Sequence, residues 1–424
     1  MIPEVFKYKE KYVFNEYATM CDYFKGIDLP LADGLEINCL LADYIFCVST
    51  DRIQTGWTNT LRRFCGSLFD CQFECEAESD NSDVAFVFTG DSESRKDYID
   101  NIRSVAGQCD NSVLILLNRN KRRFKPWRTF GIFKELIWAC KFNKMVHRFS
   151  VSLDMAVAVQ RSVTCGKRLF RLVWKTGAKK LVTYCDQWSD ENALTQLANR
   201  AGIHTATLQH GNGTEIFYGS CSDYYLANSR LSAVRKKCLS GKSEGTLVLE
   251  PMKFIGSKFE YIPPKMVQKL GIVLDGGDSR TSNIDMIEMA HAIADTYNVR
   301  CFFKFHPSTT ISDYAVVLRK DDIISKDTAK FEKDIDLYIA CKSTYYQELV
   351  YKCKSILRYR YIPDDWYPEV TAGTFVNIDE LKNMFIQMID PVVANEIHEN
   401  VYNQIYGNEG LRLQYREFFK KWEV

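Results

Sequence analysis

Two histidines stand at the ends of strand-like runs. Gln209-His210-Gly211 follows Thr205–Leu208, and Lys304-Phe305-His306-Pro307 closes the apolar run that begins at Cys301. An imidazole in such a place can donate a hydrogen bond to a phosphate, or act as acid or base. A neighbouring glycine lets a ligand approach the backbone, and a proline fixes the turn. Lys342-Ser343-Thr344 lies between the strand-like Leu337–Ala340 and a helix-like segment that carries Glu348. Hydroxyls and N–H groups at a helix start favour an anion, although a plain N-cap uses the same residues. Glu348, one turn on, could accept hydrogen bonds from ribose hydroxyls or simply complement the helix dipole. Gly276 and Gly277, in Leu274-Asp275-Gly276-Gly277-Asp278, allow close phosphate approach or simply a tight turn. Asp186, Asp190 and Glu191 gather after Lys180–Cys185. One of them could be a general base on an acceptor hydroxyl, with His210 as a second candidate; the same acids also complement a helix N-terminus.

The elements that must position these residues fall into two series. Val84–Thr89, Val113–Leu117, Lys180–Cys185, Thr205–Leu208 and Tyr224–Ala227 are short apolar runs separated by helix-length segments such as Ser92–Val105. From residue 269 the pattern repeats: LGIVLD, the amphipathic Ile284–Tyr297, CFFKF (301–305), LYIA (337–340), YYQELVYK, SILRY (355–359) and FVNI (375–378). Such alternation predicts βαβ units and parallel sheets. Between the series, Phe254–Lys265 carries Gly and Pro-Pro and reads as a linker. The expectation is an α/β chain of two Rossmann-like, doubly wound domains, 1–255 and 256–424, facing a cleft with ligands at the carboxyl ends of the strands. Within 1–70 helix is expected, and Glu74–Asp83 reads as an exposed acidic loop.

The chain has 424 residues, 55 of them basic and 54 acidic, for a net charge of +1, which argues against a general nucleic-acid binder. The composition is that of a globular protein with material for two cores. Fifteen cysteines are scattered without a CxxC pair, so buried reduced thiols are expected rather than zinc sites or disulfides. No run approaches a membrane span, and the charged N-terminus lacks a signal-peptide pattern, which predicts a cytoplasmic chain. Charge is nevertheless uneven. Arg119–Arg148 holds ten Lys/Arg and a single acid, Glu135, with Trp127, Phe130, Phe133, Trp138 and Phe142 interleaved. Such a segment suits peripheral contact with the anionic inner face of a cell membrane, or an anionic acceptor, or a solvated helix face. Asp334-Ile335-Asp336 spells a DxD, but it directly precedes LYIA and reads as a loop entering a strand.

Taken in order, the QHG turn, Gly256-Ser257-Lys258-Phe259-Glu260, the His-Pro turn and the Ser-Thr turn resemble bacterial glycosyltransferases of the GT-B fold that build capsule, lipopolysaccharide or teichoic acid polymers. The resemblance covers roughly residues 180–360. Asp190-Glu191-Asn192 is similar to the acid-acid-Gly motif of bacterial sialyl- and polysialyltransferases, with Asn where Gly is expected. Teichoic acid polyol-phosphate transferases look similar through the QHG, His-Pro and Ser turns. The Asp-Ser-Gly-Gly signature of non-hydrolysing sugar-nucleotide epimerases is absent, with Cys341-Lys342-Ser343-Thr344 in its place. The resemblance implies a metal-independent, inverting transfer of a sugar from a nucleotide-activated donor to a surface glycan or glycolipid, with no cofactor. Gln209, Gly211, Gly276, Gly277, His306, Pro307, Ser343, Thr344 and Glu348 would bind the nucleotide, and Asp186, Asp190, Glu191, His210 and His306 would supply the chemistry. A CDP-glycerol-type polyol-phosphate transferase and a catalytically inactive scaffold are the alternatives.

Overall fold

The computed structural model describes residues 35–37, 39–42, 44, 56–66, 69–76, 82–90, 96–124, 129–146, 149–209, 220–240, 245–276, 279–407 and 412–422. His210, Gly211 and Gly277 lie outside these residues. The chain divides into two compact units, one of Met1–Ile255 with Arg412–Val424 and one of Gly256–Leu411.

The first unit contains helix α1 (Trp57–Gly66), β1 (Phe69–Glu76), β2 (Val84–Phe88), α2 (Lys96–Ala106), β3 (Ser112–Phe124), α3 (Thr129–Val146), the long α4 (Phe149–Lys175), β4 (Lys180–Thr183), α5 (Ser189–Arg200), β5 (His204–Leu208), β6 (Tyr224–Ala227), α6 (Arg230–Ser240) and β7 (Thr246–Val248). The sheet runs β1-β3-β2-β4-β5-β6-β7. All neighbours are parallel except β1 and β3, which pair antiparallel. Every residue of β2 is buried, as expected of a parallel strand covered on both faces. Val84, Phe86 and Phe88 enter one core with α2, and Ala85 and Val87 enter another with α4 and α5. Close packing of α4 on α5 needs Gly166, where an added Cβ would lie 2.6 Å from that of Ala193.

Three expectations are corrected here. The acidic stretch from Glu74 begins inside a strand: FDCQFECE alternates, and β1 needs one apolar face only, because it is an antiparallel edge. The basic run at Arg119 starts as strand too, with Arg123 opposite Asp70 and Arg122 opposite Cys71, so only its second half is helix α3. Residues 412–424 belong to the first unit and not the second. Helix α12 (Tyr415–Lys421; α7 to α11 are given below) and Trp422 bury Tyr415, Phe418, Phe419 and Trp422 against Phe86, Leu226 and Leu249, apolar area that the second unit does not offer them. The cysteines are also less uniformly buried than expected: Cys39, Cys185, Cys301 and Cys341 are buried thiols, whereas Cys65, Cys75 and Cys140 are exposed.

The second unit comprises β8 (Lys269–Val273), α7 (Arg280–Tyr297), β9 (Arg300–Lys304), β10 (Ile323–Ile324), α8 (Thr328–Asp334), β11 (Leu337–Ala340), α9 (Thr344–Tyr351), β12 (Ile356–Tyr359), β13 (Thr374–Phe375), α10 (Ile378–Gln387) and α11 (Pro391–Tyr406). Its sheet is wholly parallel in the order β10-β9-β8-β11-β12-β13. FVNI splits: the strand ends at Phe375, and Asn377 caps α10 by accepting from the Glu380 N–H at 2.9 Å. Asp336 of the DxD accepts the Gln268 and Lys269 N–H groups at 2.9 Å each, fixing the entry to the sheet. The segment after Gly256 is held to this unit by Tyr261, stacked 4.0 Å from His398 and bonded to the Ser355 hydroxyl at 3.0 Å. Both sheets are thus doubly wound, Rossmann-like α/β layers.

Candidate functional site

The order of the second sheet reverses between its first strand, β8, and β11. Chains leaving adjacent strands there diverge to opposite faces and open a crevice at the carboxyl end. Asp275 lies in it, buried, two residues past β8. Its two carboxylate oxygens accept the backbone N–H of Lys342 at 3.2 and 3.0 Å, which ties the end of β8 to the turn that starts α9. Asn283 on α7 holds Asp275 from the other side, accepting its N–H at 2.9 Å and donating to its carbonyl at 3.1 Å. Burial pushes the Asp275 carboxyl up to about 6, against the downward pull of the Lys342 N–H and ammonium.

Gly276 follows, and His306 meets it from the end of β9. A Cβ built on Gly276 would sit 3.4 Å from Ser308 Oγ and 3.6 Å from His306 Nδ1. The imidazole is set by its own turn: Nδ1 accepts the Ser308 N–H at 3.1 Å and lies 2.8 Å from the Ser308 hydroxyl. An accepting Nδ1 carries no proton, so the neutral ring carries it on Nε2 as a donor. Partial burial of the ring lowers its pKa, which keeps this form at neutral pH. His306 is therefore built to donate a hydrogen bond, and is a weak source of a full proton. Pro307 is exposed and offers no N–H; it shapes the turn.

On the far side of Asp275, Ser343 is the N-cap of α9. Its hydroxyl accepts the Tyr345 N–H at 3.2 Å and keeps its own proton to donate. Thr344 is the exposed first helical residue, with no partner for its N–H or hydroxyl among the described residues. Glu348 is half-buried one turn on. The turn is braced from behind by Tyr367, whose hydroxyl donates to the Lys342 carbonyl at 3.3 Å. Tyr367 is positioned by Arg358, a buried guanidinium on β12 that bonds Asp365 at 2.7 Å and the Tyr367 and Val370 carbonyls at 3.1 and 2.8 Å. The structure thus joins Gly276, His306, Ser343 and Thr344 around Asp275. Asp275 and the Arg358 brace were not singled out from the sequence; an acid directly after an apolar strand was the one signal for Asp275.

The candidates in the first unit separate by burial. Glu191 is wholly buried on α5, accepting the Thr89 N–H at 2.8 Å, the Thr89 hydroxyl at 3.0 Å and the Cys185 N–H at 2.6 Å. Burial pushes it up to about 8, against those hydrogen bonds. Asp186 is also fully buried, and one oxygen accepts from the Ser220 hydroxyl at 3.0 Å, the Cys221 and Ser222 N–H groups at 2.9 and 2.8 Å, and the Ser222 hydroxyl at 2.7 Å. Both acids act as struts between chain segments. Asp190 alone of the three has solvent contact, and it bonds the Cys165 thiol. Gln209 is buried and committed: it accepts the Asn228 N–H at 2.7 Å and donates to Ser232 Oγ at 2.9 Å, so its side chain fixes β5 to β6.

No family model and no curated protein matches the sequence. Among solved structures the chain is similar to an S. aureus MnaA–UDP co-structure, with 10% identity over 79% of this chain and 94% of that one and a TM-score of 0.47. It is similar to the UDP-GlcNAc 2-epimerase of Methanocaldococcus jannaschii, with 12% identity, 72% and 92% coverage and a TM-score of 0.46. A third is the lipopolysaccharide outer core galactosyltransferase WaaB in its apo form, with 11% identity, 80% and 98% coverage and a TM-score of 0.46. At such identities and scores a likeness carries nothing about activity. Among the described residues, no helix is long and apolar enough to cross a membrane, and no cluster of three or more His, Cys, Asp or Glu could hold a metal ion.

Proposed function

We propose that this chain is a glycosyltransferase that binds the phosphates of a nucleotide-activated sugar at the reversal of the second sheet and passes the sugar to a glycan or glycolipid acceptor. The observation that carries this reading is the gathering of Gly276, His306 Nε2–H and the Ser343–Thr344 helix start over Asp275. Gly276 admits the phosphate to the backbone, and the imidazole and the turn supply hydrogen-bond donors. As the acceptor oxygen bonds to the anomeric carbon, the bond from that carbon to the phosphate oxygen breaks and negative charge grows on the phosphate. Donors held by Ser308, Asp275 and Tyr367 meet that charge without reorganising. The acceptor proton passes to a base; of the three acids Asp186, Asp190 and Glu191, only Asp190 keeps solvent contact.

Calorimetric titration with CMP, CDP, UDP and GDP tests the reading. Micromolar to millimolar binding of one of them is expected, weakened at least about tenfold by replacing Ser343 and Thr344 together with Ala, the loss of one to two hydrogen bonds to a charged group. Absence of binding by all four would overturn it. A clear preference for CDP, with glycerol-phosphate rather than sugar transferred, would replace the sugar with a polyol-phosphate.

A further inference from the structure

Helix α3 divides sharply by face. Glu135, Trp138, Ala139 and Phe142 are buried, and the last three join the core that α4 also builds. The opposite side exposes Leu136 (37%), Ile137 (53%), Cys140, Lys141 and Lys144. At 100° per residue, Leu136, Cys140 and Lys144 form one row and Ile137 and Lys141 the next, so the five make a continuous stripe. This stripe has no acid. Glu135, the one acid between Arg119 and Arg148, points into the protein. Burying the acid and exposing two large aliphatics is the reverse of what a solvated surface helix requires. In the sequence, Arg119–Arg128 ahead of α3 carries six more Lys/Arg.

We propose that the exposed face of α3 docks the protein on an anionic lipid bilayer. The occupant follows from the chemistry of the stripe. Nucleic acid would engage the lysines and leave Leu136 and Ile137 in water, whereas a lipid surface offers phosphate and hydrocarbon side by side. The helix lies in the headgroup plane with Leu136 and Ile137 dipping below it, while Lys141 and Lys144 extend their stems along the boundary and keep their ammonium groups at the phosphates. At 18 residues with charges on both faces it lies on the membrane and does not cross it.

Flotation of the full chain with phosphatidylcholine vesicles, with and without phosphatidylglycerol, tests this. Binding is expected only where phosphatidylglycerol is present, and is expected to weaken as salt rises. Lys141→Glu with Lys144→Glu should lower partitioning by at least about fivefold per lysine. Leu136→Ser with Ile137→Ser should lower it by about tenfold or more through lost apolar burial. The same charge reversal on α12, Lys420→Glu with Lys421→Glu, should leave binding intact. All these side chains are exposed, and thermal unfolding of each variant verifies its fold. Equal binding to neutral vesicles, no binding, or an equal loss in the α12 control overturns the proposal. So does a dimer that Ile137→Ser dissociates without changing flotation, since the stripe would then be a self-association face.

Discussion

At the reversal of the first sheet, between β2 and β4, Glu191 reaches up from α5 and takes the N–H groups that follow both strands. At the reversal of the second, between β8 and β11, Asp275 takes the Lys342 N–H across the gap in the same manner. Each is a buried carboxylate whose affinity for a proton is raised by that burial. The surroundings differ. Around Glu191 the crevice is filled: Phe88 and Tyr98 pack on Tyr184 at 5.1 Å, Trp188 lies 6.0 Å from Phe88, and a Cβ on Gly90 would lie 2.4 Å from the Phe88 ring. Around Asp275 nothing lies closer than 3.4 Å to a Cβ on Gly276, and His306 and Thr344 are exposed. The same topological opening has been closed in one unit and kept polar in the other. A strand-order reversal is therefore permission for a ligand site, and the side chains decide whether it is used.

The largest expected effect breaks the filled opening. Glu191→Ala leaves three buried donors without an acceptor and should cost about 3 kcal/mol or more in the first unit's unfolding by urea, with nucleotide affinity unchanged. The same group sets a pH slope. Its proton is held at about 8 when folded against an ordinary 4.5. The stability it contributes is thus fully present below about pH 4.5 and lost as pH rises through about 8. Glu191→Gln should flatten that slope in melting temperature against pH; an unchanged slope would mean that burial does not raise this carboxyl.

His306→Ala comes next. It should reduce transfer about a hundredfold with stability changed by less than about 0.5 kcal/mol. Near-normal turnover would remove the imidazole from the open site. The smallest effects come from the paired glycines and sharpen the contrast directly. Gly90→Ala should destabilise by about 1–3 kcal/mol by overpacking, whereas Gly276→Ala should fold normally and weaken nucleotide binding by about tenfold. Equal destabilisation by the two would erase the distinction between a closed and an open crevice.

Much of this was readable in the sequence wherever burial on both faces leaves a plain signature. Tyr224–Ala227 and Leu337–Ala340 are apolar runs bounded by polar turns, and they are strands with those bounds. Edges were harder. β1 shows one apolar face and carries three acids, Asp70, Glu74 and Glu76, so composition points to a loop while its alternation points to a strand. At the site, the hydroxyl turn and the His-Pro turn stand out because strand, turn and helix follow one another. Asp275 does not, because a buried strut and a solvated turn acid are the same letter. Burial likewise separates Asp190 from Asp186 and Glu191, which lie within six residues and look equivalent in the sequence.

The return of α12 to the first unit has a consequence for how the molecule is made. Residues 412–424 leave the ribosome after the whole of Gly256–Leu411, yet Phe418, Phe419 and Trp422 complete a core begun by Val84 and Phe86. The second unit is an insert within the first, and it can fold while its host waits. During that wait the β2–β6 surface that α12 will cover stays open, so nascent chains stalled before residue 412 present a sticky, half-built sheet to chaperones even though the second unit is complete.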